Sequence, residues 1–166
     1  MKKNPPKIDL DKTDYSLLAR LQKDGRITNA KLAASLNMSE TPCWRRLKRL
    51  EENHVISGYN AILDRNLLGY EIYAFVQIFS KKHTDDSLEK FENAVKEIPE
   101  ILSCHNITGD ADYILQIVAK DLESYEELLR KVIRRLHGVT SVKTSISLRE
   151  IKSTTSLPLK KNSLSG

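Results

Sequence analysis

The sequence predicts an α+β protein of two units: a winged helix-turn-helix domain over residues 9–60, then a βαββαβ, ferredoxin-like domain over residues 71–152. Three observations lead there. Residues 11–52 hold three short amphipathic stretches separated by tight-turn signals. After Tyr70 the pattern switches to β-rich runs alternating with helical stripes. The charge changes sign at the same place: residues 1–69 carry 13 Lys and Arg against 8 Asp and Glu, whereas residues 70–150 carry 11 against 14. Residues 61–70 read as a linker and 153–166 as a polar tail.

In the first unit, a basic N-terminal run with Pro5 and Pro6 leads to Asp11, suited to cap a helix with Leu17, Leu18 and Leu21 on its inner side. Lys23-Asp24-Gly25 is its stop. Thr28 opens a short second helix with Leu32, Ala33 and Leu36 on one face. Asn37-Met38-Ser39 is a tight turn, because Asn tolerates left-handed backbone angles. A basic third helix follows, capped by Ser39 or Thr41. Pro42 is tolerated in its first turn, where the missing N–H is no loss. Residues 54–64 are β-rich, broken by Gly58, and are expected to pair as a small wing.

In the second unit, residues 72–79 form a strand apolar on both faces, so neither face is expected to meet water. A helix starts at Ser87 with Leu88, Phe91 and Val95 on its stripe. Residues 101–108 and 113–118 are strands joined by Gly109-Asp110-Ala111-Asp112, a hairpin signal. Ser124 and Glu127 make a capping box for a longer helix striped by Tyr125, Leu128, Leu129, Val132, Ile133 and Leu136, which Gly138 stops. The last strand, 139–148, alternates Val142, Thr144, Ile146 and Leu148 with three serines and Lys143. Helices cover one face of such a sheet. Tyr73, Phe75 and Phe79 remain on the other, which implies a second copy of the sheet and hence a homodimer.

With 40% hydrophobic residues in 166, the chain can build a core in each unit. No window approaches 18 apolar residues and the first residues hold no apolar run, so neither a membrane span nor a secretory signal is expected. The two cysteines, Cys43 and Cys104, fall in different elements and fit a reduced, cytoplasmic protein better than a disulfide. The positive first unit, and three lysines over residues 151–166, point to a polyanionic partner.

The densest signal is SETPCWRRLKRLEE, residues 39–52. Stepping about 100° per residue gathers Cys43, Leu47 and Leu50 into one narrow stripe. Thr41, Arg45, Lys48 and Arg49 fall opposite, with Trp44 on a shoulder as either a packing plug or a phosphate-side contact. Such a helix fits the major groove of double-stranded DNA: Arg forks onto guanine, Thr reaches a base edge or phosphate, and Lys offers a point charge. A merely solvated basic face is the alternative for this helix in isolation. The short helix and turn before it build a helix-turn-helix and favour DNA.

The stretch 9–59 resembles the N-terminal domain of the Lrp/AsnC (leucine-responsive, feast/famine) regulators, through the opening DxxD helix, LQKDGRI, LA..LN.S, TPC.RR...LE and I.GY. The later GDADY and HGV are similar to the ligand-sensing half of the same family, so the resemblance spans residues 9–152. TPCWRRLKRLE with the tail IKSTTSLP also resembles a subgroup that includes a cysteine-responsive activator. The resemblance implies a homodimer assembling to an octamer, DNA that is bent or wrapped, and an amino-acid effector bound between dimers. It implies DNA-binding residues within 29–48 and just beyond: Asn29, Ser39, Thr41, Trp44, Arg45, Arg46, Lys48 and Arg49. For the effector it implies Thr108, Gly109, Asp110, Ala111, Asp112, Arg134 and Ser147.

The chemistry of the GDAD turn is compatible with that role. Two carboxylates suit an α-ammonium and free backbone N–H groups suit an α-carboxylate, although Asp and Gly also simply make a good turn. No enzyme is expected. His54, His83, His105 and His137 are scattered, and no metal-ligand, nucleophile-elbow or phosphate-loop spacing exists, so no catalytic residue, metal or cofactor is assigned. A transcription regulator of the bacterial nucleoid is thus expected. The alternative is an architectural DNA-bending or compacting protein without a functional effector site.

Overall fold

The computed structural model describes residues 8–81 and 85–159, with Asp85 and Asp86 described by backbone alone. The run with Pro5 and Pro6, His83, and the tail beyond Leu159 lie outside them. The chain forms two compact units, one of residues 1–62 with 154–166 and one of residues 63–153.

The first unit is three helices: α1 (Lys12–Leu21), α2 (Asn29–Ser35) and α3 (Glu40–Glu52). Asp11 caps α1 by accepting the Asp14 N–H at 2.8 Å, and Asp14 accepts the Asp11 N–H at 3.0 Å in return. Reciprocal capping of this kind satisfies two otherwise orphaned N–H groups and is worth about 1 kcal/mol per cap. Thr28 caps α2 through Lys31. Asn37 takes φ 53°, the left-handed angle that reverses the chain into α3. The core is small: Leu17, Leu32, Ala33, Cys43 and Leu50 are buried, with Leu47, Val55 and Ile56 packed against them.

Residues 54–64 form no strand, in place of the expected wing. His54 takes φ 56°, and the Val55 and Ile56 N–H groups fold back onto the Leu50 carbonyl. Two of the β-formers are thereby spent on closing α3. Tyr59 donates to Glu51 at 3.0 Å. The described part of the polar tail belongs to this unit: the Gln22 side chain donates to the Leu157 carbonyl at 3.1 Å and accepts its N–H at 2.6 Å.

The second unit is β1 (Ile72–Ser80), α4 (Asp85–Lys96), β2 (Ile101–Asn106), β3 (Tyr113–Ala119), α5 (Leu122–Lys131), a 3-10 turn (Ile133–Arg135) and β4 (Val139–Ile146). The sheet is antiparallel in the order β2-β3-β1-β4, the βαββαβ arrangement the sequence predicts. Ala74, Val76 and Ile78 of β1 alternate into the core with Tyr113, Leu115 and Ile117 of β3, under Phe91 and Val95 of α4 and Tyr125 of α5. On the opposite sheet face Tyr73 and Phe75 meet edge to face at 5.5 Å, and Lys143 lies 5.0 Å from the Phe79 ring.

Two local expectations change. Asp121, not Ser124, caps α5, its carboxylate accepting the Ser124 N–H at 2.6 Å, because a charged acceptor outcompetes a hydroxyl at the positive end of a helix. The α-helix also stops at Lys131 instead of running to Leu136. Val132 leaves it at φ −114°, ψ −69°, and the tighter 3-10 turn delivers Ile133 fully into the core.

Candidate nucleic-acid interface and effector turn

The inner side of α3 follows its sequence: Cys43 and Leu50 are fully buried and Leu47 is half-buried. Burial pushes the Cys43 thiol above its ordinary pKa, so the neighbouring cations do not make it a reactive thiolate. The four cations divide. Arg45 and Lys48 are exposed and have no ion pair among the described residues. Arg46 and Arg49 turn back toward α1. Arg46 Nη1 reaches Asp11 Oδ2 at 2.5 Å and Asp14 Oδ1 at 3.0 Å, and Arg49 Nη2 pairs with Asp14 Oδ2.

Arg49 does lie on the exposed side, at 45% exposure, but its guanidinium is held by a carboxylate of another helix. Arg46, which is only 30% exposed, is held in the same way. Asp14, at 0% exposure, is the residue that organises this, and sequence reasoning missed it. Its oxygens take two guanidiniums and a backbone N–H, so the buried carboxyl group is left with its hydrogen-bonding capacity satisfied. Stripping it of partners would cost on the order of 3 kcal/mol. Burial pushes the Asp11 carboxyl up, but the Asp14 N–H and the Arg46 guanidinium outweigh it and hold the pKa below the ordinary value.

The remaining DNA-side residues also separate. Asn29 donates to the Glu40 carbonyl at 3.1 Å, tying α2 to the start of α3, and its Oδ1 is buried without a partner. That side chain is used inside the unit and is not offered outward. Ser39 begins α3 without a side-chain cap bond, and Thr41 beside it is exposed. Trp44 is 51% exposed, so it is no packing plug. Ser39, Thr41, Trp44, Arg45 and Lys48 thus form one continuous open end and side of α3.

At the other candidate site, Thr108, Gly109 and Asp110 are exposed at the tip of the β2–β3 hairpin, and Gly109 takes φ 120°, an angle that favours glycine. Ala111 is buried. Asp112 does not present its carboxylate: Oδ2 accepts the Ser80 N–H at 2.7 Å and the Ser80 hydroxyl at 2.9 Å. Its backbone bonds Ile78 and Ile107, and Asn106 donates to its carbonyl at 3.0 Å. Of the two carboxylates, only Asp110 stands without a bond among the described residues.

The other two effector residues are not brought to this turn within one chain. The Ser147 N–H bonds the Tyr73 carbonyl at 2.8 Å, at the start of β1, whereas Asp112 is tied to its end at Ser80. Seven residues of strand, about 23 Å, separate them. Arg134 is exposed on the 3-10 turn, near enough to Tyr125 to act on its hydroxyl, which shares a 2.6 Å hydrogen bond with Thr144. Separately, a cleft of about 380 Å³ opens between α4 and β2 beside Cys104. Burial and Glu92 push the thiol there up to about 11, which leaves it protonated and unreactive at neutral pH.

Comparison with known proteins gives this geometry a family. Residues 73–157 match the Lrp/AsnC ligand binding domain, and residues 10–57 match a winged helix-turn-helix DNA-binding domain. The chain belongs to the Lrp/AsnC family of transcriptional regulators. It is 39% identical over 159 residues to the leucine-responsive regulatory proteins of Klebsiella pneumoniae and of Escherichia coli strain K12, covering 96% of this chain and 96% of each relative. A transcriptional regulator of Neisseria meningitidis, solved as its L-methionine complex, superposes with a TM-score of 0.87 at 38% identity, over 91% of this chain and 97% of that one. The feast or famine regulatory protein of Mycobacterium tuberculosis, also complexed with L-methionine, gives 0.80 at 29% identity, over 90% and 99%. As a family member the protein is a DNA-binding regulator with a helix-turn-helix unit and a ligand-binding unit. Among the described residues no helix is long and apolar enough to cross a membrane, and no group of side chains is placed to hold a metal ion.

Proposed function

We propose that this regulator reads operator DNA with α3 and changes its DNA affinity or assembly when a small amino acid binds at the β2–β3 hairpin. Ser39, Thr41, Trp44, Arg45 and Lys48 make the DNA contacts, Arg45 at base edges of a selected site and at phosphate on any other duplex, the others at phosphates or edges nearby. The protein works in the bacterial cytoplasm, on the nucleoid, and catalyses no reaction. Two copies pair through the sheet face bearing Tyr73, Phe75 and Phe79, and dimers assemble further to an octamer.

The observation that carries the effector assignment is the hairpin tip. Gly109 opens the backbone and Asp110 leaves a carboxylate unspent, while Asp112 anchors the turn to β1. Assembly between dimers is what brings Arg134 and Ser147, distant from this turn or unconnected to it in one chain, toward a shared site. Relatives named for leucine and solved with L-methionine support a small, mostly apolar amino acid. The cysteine-responsive subgroup adds L-cysteine to that class.

Thermal unfolding in the presence of each of the twenty amino acids tests this. A ligand at 100 times its Kd adds about 2.7 kcal/mol to native stability. One or a few small apolar or thiol amino acids are expected to raise Tm, and Asp110→Asn is expected to abolish the rise. No shift with any amino acid would contradict the effector assignment. DNA protection at phased sites unaffected by amino acids would favour the architectural alternative.

A further inference from the structure

We infer that Asp14 is a positioning and specificity-determining residue, which holds Arg46 and Arg49 off the DNA so that α3 presents only Arg45 and Lys48 as cations. The inference rests on α3 being the reading helix.

The sequence gives α3 four cations in five residues, an arrangement that would grip phosphate on any duplex with little regard for sequence. The structure removes two of them from that role. Asp14 sits on the third residue of α1 with no exposed surface, and each carboxylate oxygen is taken by a different guanidinium. Asp11 accepts a second bond from Arg46, so two carboxylates balance two guanidiniums. The capping bonds between Asp11 and Asp14 fix both carboxylates to the first turn of α1. That makes the counter-charge rigid, whereas the partners of surface arginines are usually mobile and weakly held.

The placement has a consequence for discrimination. Phosphate contacts position a protein on DNA and are shared by every sequence, while base contacts distinguish sequences. Withholding two guanidiniums lowers the sequence-independent part of binding and leaves the base-reading part on Arg45 and Thr41. A buried ionic cluster also need not add net stability compared with apolar packing, which makes a geometric role the better account of its presence.

The test is the salt dependence of binding to a random-sequence duplex, together with the affinity ratio between that duplex and a site selected from a random pool. In Asp14→Asn, which keeps the size of the side chain, Arg49 is freed and Arg46 keeps only Asp11, so the slope of log K against log salt is expected to steepen by about 0.9, and by up to about 1.8 if Arg46 also lets go. The affinity ratio is expected to fall. A folded Asp14→Asn protein with an unchanged or shallower slope would overturn the inference. Should that variant fail to fold, Asp14→Asn with Arg46→Gln and Arg49→Gln replaces the charged cluster by amides. This triple variant is expected to keep the wild-type slope, and a slope shallower by about 1.8 would show that the arginines touch phosphate after all. Failure of the reading-helix assignment looks different: Arg45→Gln would then leave the slope unchanged in the wild-type background.

Discussion

The two units hold a carboxylate or a cation in place with opposite materials. In the helical unit the core is five buried residues, and charge is positioned by charge: Asp14 from inside, Arg46 and Arg49 from the rim. In the sheet unit the core is larger and almost wholly apolar, and the hairpin turn is positioned by hydrogen bonds to neutral groups, with Asp112 bonded to the Ser80 N–H and hydroxyl. The polar fastening of the small core runs from its interior to the exposed side of α3. A hairpin needs only one carboxylate spent on its hinge for the other to remain available.

The largest expected effect separates the two cores. Leu50→Ala and Leu115→Ala each delete a fully buried side chain and should cost about 2–5 kcal/mol. In the helical unit so large a share of the core is lost that DNA binding should vanish while the sheet's circular dichroism signal remains. In the sheet unit the same loss should lower Tm with the sheet still formed. Equal behaviour of the two variants in calorimetry would erase the contrast.

A smaller effect separates the two aspartates of one turn. Asp112→Ala removes both bonds to Ser80 and should destabilise the protein by about 2 kcal/mol in urea titration. Asp110→Asn should stay within about 0.5 kcal/mol of wild type, as exposed substitutions do. The smallest effect is a pH dependence. Asp11 has a folded pKa below its ordinary 3.8, so the unfolded chain binds the proton more readily. Its contribution is present above 3.8 and is lost as pH falls through the lower folded value. Thermal melts from pH 5 down to 2 should show this loss in wild type and a weaker one in Asp11→Asn.

What the sequence revealed and what it hid divides along the range of the interactions. The α3 stripe of Cys43, Leu47 and Leu50 and the alternation of β1 were legible because helix and strand periodicities act within one element. The hairpin was legible from Gly109 and its aspartates. The partners of Arg46 and Arg49 were not, since a helical wheel gives the direction of Cα–Cβ and not where a long guanidinium comes to rest. Asp14 lies 35 residues from Arg49 and Ser80 lies 32 from Asp112, so no local pattern links them. The α5 start differs by a single turn, because Asp121 and Ser124 are both good caps three residues apart and the helix begins at the earlier one. The docking of the polar tail was not legible, because nothing in its composition announces that Gln22 will hold Leu157 by both its N–H and its carbonyl.

The most direct measurement is the salt dependence of binding to a random-sequence duplex for Arg45→Gln with Lys48→Gln. These two cations are the ones α3 leaves without an ion pair, so removing them should make the slope of log K against log salt shallower by about 1.8. A slope unchanged from wild type would mean that α3 does not meet DNA through this face, and the assignment of the reading surface would fail.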